Sequence, residues 1–444
     1  MRNFVLSIAT AAMMAAMTVP AAATTYNIKD YGARADTTVL STAAIQGAID
    51  AAAEAGGGRV TVPAGQWVTG SIFLKSGVEL HLEQGATLLG STDIADYTPV
   101  STDYLSLRTH VPTIQLIYAD NVDNVAITGR GTIDGRGRGF PKLSWNDEGM
   151  TRPHLLRFIN SRDITVSGVT LRNSGCWMQH YLACDRLRIT DLTIVNRNNY
   201  NNDALDLDGC HDVVVAGLIA DSDDDGITLK STSPRLCENI VISNCVVSSH
   251  CNAIKLGTET NGGFRNIVIR GISVKPSADQ SSLFFGRPIG SSAISLEIVD
   301  GGVMQAVDIA DITVSGTESP IFIRLGNRAR PYAEGVPVEG VGTIDGVTIH
   351  DVIVNNAGPI GCSITGIEGH PVRNVTLRNI AIHHAGGVGV TPVPDDEKIA
   401  EYPEATMWGN LPASGFWLNH TEGVTIEGLT VTTDAPDARP LIVE

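Results

Sequence analysis

Basic residues are scarce in this sequence. The chain has 31 Lys and Arg residues against 48 Asp and Glu residues, which leaves a formal net charge of −17. That balance argues against nucleic acid or an anionic membrane as a partner, because both are polyanions. A polyanionic substrate would need a local basic patch on such a surface.

Cysteine is scarce as well. Seven cysteines occur in 444 residues, six of them between Cys176 and Cys251 and the last at Cys362. A sparse, odd set is not the pattern of a disulfide framework, so we expect mostly buried thiols. No CxxC pair occurs, which disfavours a zinc site. We expect neither a metal nor a cofactor.

Long apolar runs are missing after the N-terminus. Residues 1–23 combine Arg2, an Ala/Met-rich stretch and a small-residue site at Ala21–Ala23, which is typical of a secretory signal. No later stretch approaches the roughly 18 apolar residues that a membrane span needs. We therefore expect a secreted or periplasmic monomer whose mature chain, residues 24–444, forms one domain.

A short unit recurs along most of the chain: a polar residue, often Asn or Asp, followed by two apolar pairs around a Gly, Asn or Asp. Successive units are anchored on these inward residues: Val125, Ile164, Leu187, Val213, Ile240, Ile267, Val307, Val347, Val375 and Val424. The central spacings are 23, 26, 27 and 27 residues. Such a period predicts an all-β solenoid, a parallel β-helix. A sandwich or a propeller is the alternative, although a propeller blade would need about 40 to 45 residues.

Residues 24–110 are expected to form an N-terminal cap and the first coils. The pattern Ser41–Ala55 predicts a helix, which the run Gly56–Gly58 ends. A capping helix is physically expected because the first coil would otherwise expose apolar side chains and an open sheet edge.

Three acids stand at the heads of two consecutive units. Aligning Ala204–Asp208 with Gly226–Lys230 gives an offset of 22 residues and places Asp203 over Asp225, with Asp224 beside it. Carboxyl groups this close together cannot all be ionised without strong repulsion between their charges, so the pKa of at least one of them should rise. Hydrolysis of a glycosidic bond needs such a pair of carboxyl groups. The alternative is that each Asp only serves a turn.

These residues resemble the polygalacturonase family, glycoside hydrolase family 28. The matching motifs are Asn201-Asn202-Asp203, then Asp223-Asp224-Asp225, then Lys230-Ser231. The resemblance implies a single-stranded right-handed β-helix and an inverting hydrolase of galacturonosyl linkages in pectin. It implies that Asp224 is the general acid and that Asp203 and Asp225 activate water.

The strands that follow the acids predict a cleft along one face. Their outward positions include Asp206, Lys230, Lys255, Ser295, Glu297, Phe322 and Arg324. In the family, a histidine lies one coil after the paired acids; here either His250 or Asn252 takes that place. Trp177 is either a sugar-stacking platform or part of the core. The substrate-binding candidates are His250, Asn252, Lys230, Lys255, Trp177 and Arg324.

The family's Arg-Ile-Lys, whose cations hold a galacturonate carboxylate, is replaced here by Ser295-Leu296-Glu297. The loss of both charges predicts a neutral sugar after the cleaved bond, as in a decorated or rhamnose-containing pectin. Arg328 and Arg330 are either replacement cations or part of a solvated loop. Two other classes stay open: a pectin lyase-type enzyme, which would need a calcium site and a cationic base, and a non-catalytic β-helix adhesin.

Overall fold

The computed structural model describes residues 24–142, 149–279 and 288–444. The expected leader, residues 1–23, lies outside these ranges. Within them, no helix is both long and apolar enough to cross a bilayer.

Most of the described chain is β-strand, arranged as one long parallel sheet wound into coils. The strands are β1 (Thr25–Asn27), β2 (Gly58–Val62), β3 (Gly65–Thr69), β4 (Ile72–Phe73), β5 (Val78–Leu82), β6 (Ala86–Gly90), β7 (Gln115–Asp120), β8 (Asp123–Gly129), β9 (Thr132–Asp134), β10 (His154–Ile159), β11 (Arg162–Ser167), β12 (Thr170–Arg172), β13 (Gln179–Leu182), β14 (Asp185–Thr190), β15 (Thr193–Asn196), β16 (Leu205–Asp208), β17 (His211–Ala216), β18 (Ile219–Ser222), β19 (Ile227–Ser231), β20 (Cys237–Ser249), β21 (Asn252–Thr260), β22 (Gly263–Val274), β23 (Gly290–Ile298), β24 (Val303–Leu325), β25 (Thr343–Ala357), β26 (Cys362–Thr365), β27 (Val372–Gly386), β28 (Phe416–Asn419), β29 (Thr421–Glu422), β30 (Thr425–Ala435) and β31 (Ile442–Val443).

The strands stack into three parallel ladders, one for each side of the coil. The ladder that carries the acids runs β4, β7, β10, β13, β16, β19, β21, β23, the end of β24, β26, β28 and β31. We call it the acid ladder. The parallel β-helix predicted from the repeat is confirmed.

The ten anchor residues also stack as predicted. From Val125 to Val375 each anchor pairs in register with the next, and Val424 packs against the same core. The side chains from Val125 to Val375 are buried because successive strand residues point to opposite sides, and the anchor positions point into the coil. One continuous hydrophobic core therefore fills the solenoid.

The residue before each anchor has a left-handed backbone. Examples are Asp212 at φ 57°, Asn239 at φ 57° and Asn266 at φ 58°. Asn and Asp tolerate this conformation better than other residues with side chains. The amide of Asn266 also donates to Asn239 Oδ1 at 3.1 Å, and that of Asn239 to Asp212 Oδ1 at 3.0 Å. We call this stack the left-handed ladder.

The first coil is covered by helix α1, Thr42–Glu54, close to the predicted bounds. Its buried face consists of Ile45, Ala48, Ile49 and Ala52. The helix ends because Gly56 and Gly57 take φ values of 89° and 121°. A Cβ on Gly57 would lie 2.7 Å from Gly77 O, so the chain passes too close there for a side chain.

All seven cysteines are buried free thiols, as expected. Several cap backbone carbonyls in the coil interior: Cys210 Sγ donates to Tyr181 O at 3.1 Å, and Cys237 Sγ to Lys230 O at 3.1 Å. They behave as small core residues with a weak donor.

Candidate active site

Asp203, Asp224 and Asp225 lie together at the entry to two adjacent strands of the acid ladder. Asp203 precedes β16, and Asp224 and Asp225 precede β19. Ala204 N donates to Asp225 O at 3.0 Å, which fixes the two coils in the register that the 22-residue offset predicts. Asp203 and Asp225 are buried, whereas Asp224 is partly exposed.

Asp225 is held as an anion. Lys255 Nζ lies 3.0 Å from its Oδ2, and Asn252 donates to Oδ1 from its side chain at 2.8 Å and from its backbone at 3.2 Å. Burial would raise the pKa of Asp225, but Lys255, Lys230 and the Asn252 amide together hold that pKa below its usual value. Asp225 therefore stays ionised through the neutral and mildly acidic range.

The neighbouring acids shift in the opposite direction. Burial, together with the Asp225 charge, raises the pKa of Asp224 to about 7. Burial and the charges of Asp206 and Asp224 raise the pKa of Asp203 well above its usual value. The site thus combines carboxyl groups that keep a proton with one that does not, which is the arrangement that acid/base catalysis needs.

Asp206 belongs to this cluster, although sequence reasoning placed it only among outward strand positions. Neither of its carboxylate oxygens accepts a hydrogen bond from the described residues, and Lys230 Nζ is 3.5 Å from Oδ1. Burial raises its pKa to about 7. Its in-register neighbours are His180 on one side and Thr228 on the other.

Lys230 links the acids to Glu259 and Arg108, which sequence reasoning missed, and to Arg330, for which it left two interpretations open. Its Nζ lies 3.9 Å from Asp203 Oδ2 and 3.5 Å from Glu259 Oε2. Glu259 is also bound by Arg108 and lies 3.7 Å from Arg330 Nη1. Although burial opposes it, these three cations lower the pKa of Glu259 well below its usual value. Arg330 is further held by Asp300, so it belongs to the site rather than to a solvated loop.

Trp177 is buried beneath two of these cations. Arg108 and Lys230 each lie 4.8 Å from its ring centroid, and only 2% of the residue is exposed. Its face is thus occupied by protein groups, which matches the interpretation of Trp177 as a packing residue.

Asn252, rather than His250, lies over Asp225, as the strand alignment predicts. His250 Nδ1 is 2.8 Å from Asp223 Oδ1, and its Nε2 is 2.9 Å from Asp279 O. Burial lowers the pKa of His250, but the bond to Asp223 outweighs it and the net shift is upward. His250 therefore positions the start of the acid run and does not touch Asp224 or Asp225 through a hydrogen bond.

The expectation of an open cleft farther along the acid ladder is wrong. Ser295, Glu297, Phe322 and Arg324 are all at most 1% exposed. Residues 397–410, which we call the covering segment, contact this part of the ladder through Arg324 and Lys255. Tyr402 Oη accepts from Lys255 Nζ at 3.0 Å, and burial raises the pKa of Glu297 to about 8.

Arg324, a predicted substrate-binding residue, holds this segment. Its guanidinium donates to Glu397 O at 2.5 Å and to Gly366 O at 2.9 Å, and it lies 5.2 Å from the Trp408 ring centroid. Arg328 lies 5.1 Å from the centroid of the Tyr402 ring. Ser295 and Glu297 are thus covered by protein, which removes the structural premise for a neutral sugar at that position.

One group of potential metal ligands occurs in the described ranges. Asp224, Asp225 and Cys251 each offer a ligand atom within 4.8 Å of the others. Burial and the neighbouring carboxylates raise the pKa of Cys251 well above its usual value, and a protonated thiol is a poor ligand. The chemistry of this donor set favours proton transfer by the two carboxyl groups.

Comparison with known proteins gives consistent matches. The family model "Glycosyl hydrolases family 28" matches residues 55–399. A "Probable polygalacturonase" from Vitis vinifera is 26% identical, covering 89% of this chain and 85% of that protein. An "Exo-poly-alpha-D-galacturonosidase" from Dickeya chrysanthemi is 28% identical, covering 91% and 75%. The structure of an exopolygalacturonase from Thermotoga maritima superposes with a TM-score of 0.68 at 24% identity, covering 82% and 87%.

Proposed function

The chain belongs to glycosyl hydrolases family 28, and from that premise we propose that it removes galacturonosyl residues from the ends of pectic chains by inverting hydrolysis. The family and its polygalacturonase relatives make it a pectin-directed glycoside hydrolase. The observation that carries the proposed mechanism is that Lys255 and Asn252 both bind the carboxylate of Asp225, which lowers its pKa, while burial raises the pKa of the adjacent Asp224.

Asp224 is the proposed general acid. With a pKa of about 7 it holds a proton under mildly acidic conditions, and it is the partly exposed member of the three. As the bond from the anomeric carbon to the glycosidic oxygen breaks, the electron pair stays on that oxygen, which takes the proton of Asp224.

Asp225 is the proposed general base. Lys255 and Asn252 keep it ionised, so it can accept a proton from the water that attacks the anomeric carbon. The raised pKa of Asp203 supports a different role for that residue from the water activation that the resemblance implies. As a protonated carboxyl group, Asp203 orients the water by a hydrogen bond.

Action at chain ends is supported by the covered acid ladder. On the coil before the acids His180 is buried, and on the two coils after Lys255 the outward side chains are buried as well, with Arg324 bonded to the covering segment. A polymer therefore has no continuous path along this face of the described structure. The proteins from Dickeya chrysanthemi and Thermotoga maritima named above carry exo-acting names, which agrees with this proposal.

The experiment replaces Asp224 with Asn, which keeps the shape and removes the proton. We expect the release of galacturonate from oligogalacturonides to fall by about 10²-fold or more, while circular dichroism stays native. Asp311→Asn is the matched control, since Asp311 is exposed and its φ of 56° suits Asn. Full activity in Asp224→Asn, or a first product with retained anomeric configuration in the wild type, would contradict the mechanism.

We further propose that this hydrolysis takes place outside the cytoplasm. The signal-like composition of residues 1–23 supports it. The test is the N-terminus of protein recovered from the medium or periplasm, which should lie near Thr24.

A further inference from the structure

A cavity lies beside the acids, at the N-terminal side of the acid ladder. Its volume is about 140 Å³. The residues that line it are Leu107, Arg108, His110, Val111, Thr113, Met150, His154, Arg157, Trp177 and His180. Cavities of roughly 150 Å³ hold a six-membered ring such as benzene. His110, Val111 and Met150 are exposed and form the rim.

Two imidazoles in this cavity have an atom without a partner. Nδ1 of His154 and Nδ1 of His180 are buried and make no hydrogen bond with the described residues. Nε2 of His180 lies 3.2 Å from Asp208 Oδ2, so it carries the proton and leaves Nδ1 as an acceptor. Burial lowers the pKa of His180 to about 4, which keeps the ring neutral. These atoms suit a ligand that donates hydrogen bonds, such as a sugar hydroxyl.

Arg157 supplies a charge to the same cavity. It is 3% exposed, and among the described residues its guanidinium bonds to a hydroxyl and a backbone carbonyl and forms no ion pair with a carboxylate. Its terminal nitrogens donate to Thr113 Oγ1 and to Arg108 O, and its Nε is buried without a partner. A buried charge without a counter-ion is costly, so it is retained where a ligand provides the opposite charge.

We propose that this cavity recognises the terminal uronic acid residue of the substrate, with the sugar carboxylate on Arg157 Nε and hydroxyl groups on the two Nδ1 atoms. The proposal rests on the proposed function and deepens it. A neutral sugar would satisfy the imidazoles but leave Arg157 without its anion.

The cavity lies close to the proposed catalytic acids. Trp177 forms one wall, and Lys230 Nζ, 4.8 Å from the Trp177 ring centroid, is also 3.9 Å from Asp203 Oδ2. His180 pairs in register with Asp206, one coil or about 4.8 Å along the ladder. A ring in the cavity thus lies next to the coil that carries Asp203.

The first experiment uses the wild-type protein and three probes in calorimetry and in inhibition of hydrolysis: D-galacturonate, its methyl ester and D-galactose. We expect D-galacturonate to bind, and the two uncharged sugars to bind on the order of 10- to 100-fold more weakly, because a hydrogen bond to a charged group is lost. Equal affinity for the three sugars would overturn the proposal.

The second experiment tests whether Arg157 causes this preference for the charged sugar. Arg157→Gln should remove the preference for the charged sugar, and Arg157→Lys should keep part of it. Arg162→Gln is the matched control, since Arg162 is exposed and paired with Asp123. A preference that survives Arg157→Gln would overturn the assignment.

The experiments can contradict either of the two proposals without contradicting the other. If galacturonides are hydrolysed but Arg157→Gln leaves binding and KM unchanged, the cavity assignment fails and the proposed function stands. If no galacturonide is hydrolysed by the wild type while D-galacturonate binding depends on Arg157, the proposed function fails and the cavity assignment stands.

Discussion

Lys255 controls the charge state of the site. It is 1% exposed, with its Nζ 3.0 Å from Asp225 Oδ2 and 3.0 Å from Tyr402 Oη. The charges of Asp225 and its neighbours outweigh burial and raise the pKa of Lys255 well above its usual value. It is therefore a cation at neutral and acidic pH, and its contacts make it a positioning residue for Asp225.

Replacing Lys255 with Met should move the pH profile of kcat/KM upward. The acid limb reports the ionisation of Asp225, whose pKa is lowered by Lys255; without that cation, burial raises the pKa and activity is lost at a higher pH on acidification. The basic limb, set by Asp224 near pH 7, should also rise, since Lys255 lowers that pKa too.

The pH dependence of the rate is the measurement, with Lys255→Arg as the charge-preserving control. We expect Lys255→Arg to keep the acid limb of the wild type even where the rate falls. An unmoved acid limb in a folded Lys255→Met protein would show that Lys255 does not set the charge of Asp225.

At this scale the sequence predicts part of the site. The three acids and Asn252 could be placed because a period-2 strand and offsets of 22 and 27 residues fix their register. Arg108 and Tyr402 could not, because they come from insertions between coils and follow no period. Arg108 is 151 residues from its partner Glu259, and Tyr402 is 147 residues from Lys255.

The left-handed ladder is the element that sets the corner of each coil. Most of its members are Asn, Asp or Gly, but Ala306 also adopts φ 52° there. Alanine in this conformation costs roughly 1–2 kcal/mol, because its Cβ approaches the following carbonyl oxygen. Ala306 is exposed, so nothing is packed on its side chain.

Ala306→Asn should stabilise the protein by about 1 kcal/mol. Asn tolerates the left-handed region and can extend the amide stack from Asn266. The denaturation midpoint is the measurement. Ala329→Asn is the control: Ala329 has φ 51° but lies in a loop outside the ladder.

The pair of variants separates two contributions. A gain confined to Ala306→Asn assigns the effect to the side-chain stack, and equal gains assign it to backbone preference alone. A loss of stability at Ala306 would contradict both. The ladder itself follows from the sequence, since the polar residue before each anchor is visible as a repeat.

The sequence could not show, by contrast, that the predicted cleft is covered. Strand alternation identifies outward positions, but whether solvent or another segment covers them depends on the path of residues 397–410, which carry no repeat. Glu297 and Arg324 therefore point outward, as predicted, and are nevertheless buried.

Considered as a whole, the molecule is held together by stacking, without covalent cross-links among its cysteines. Seven thiols are buried in the coil interior, and burial raises the pKa values of Cys184, Cys237 and Cys362 above that of an ordinary thiol. Low thiolate content and lack of access both slow alkylation.

We expect no thiol to react with an alkylating reagent in the native protein and all seven to react after denaturation. Intact mass before and after labelling is the measurement, and the melting temperature should be the same with and without a reductant. A mass deficit of two thiols in the denatured, unreduced sample would reveal a disulfide and contradict the structure.

The acids, Asn252, Lys255 and Glu259 all come from three adjacent coils. In evolutionary terms, this divides the chain into regions with different freedom to change length. Duplicating a coil of 27 residues toward the C-terminus would lengthen the solenoid without moving the reacting groups. The same duplication between Asp203 and Asp225 would separate them by about 4.8 Å more and end the chemistry. Lineages of this protein should therefore keep the coil number constant from the coil that carries His180 to the coils that the covering segment contacts, and vary it only beyond them.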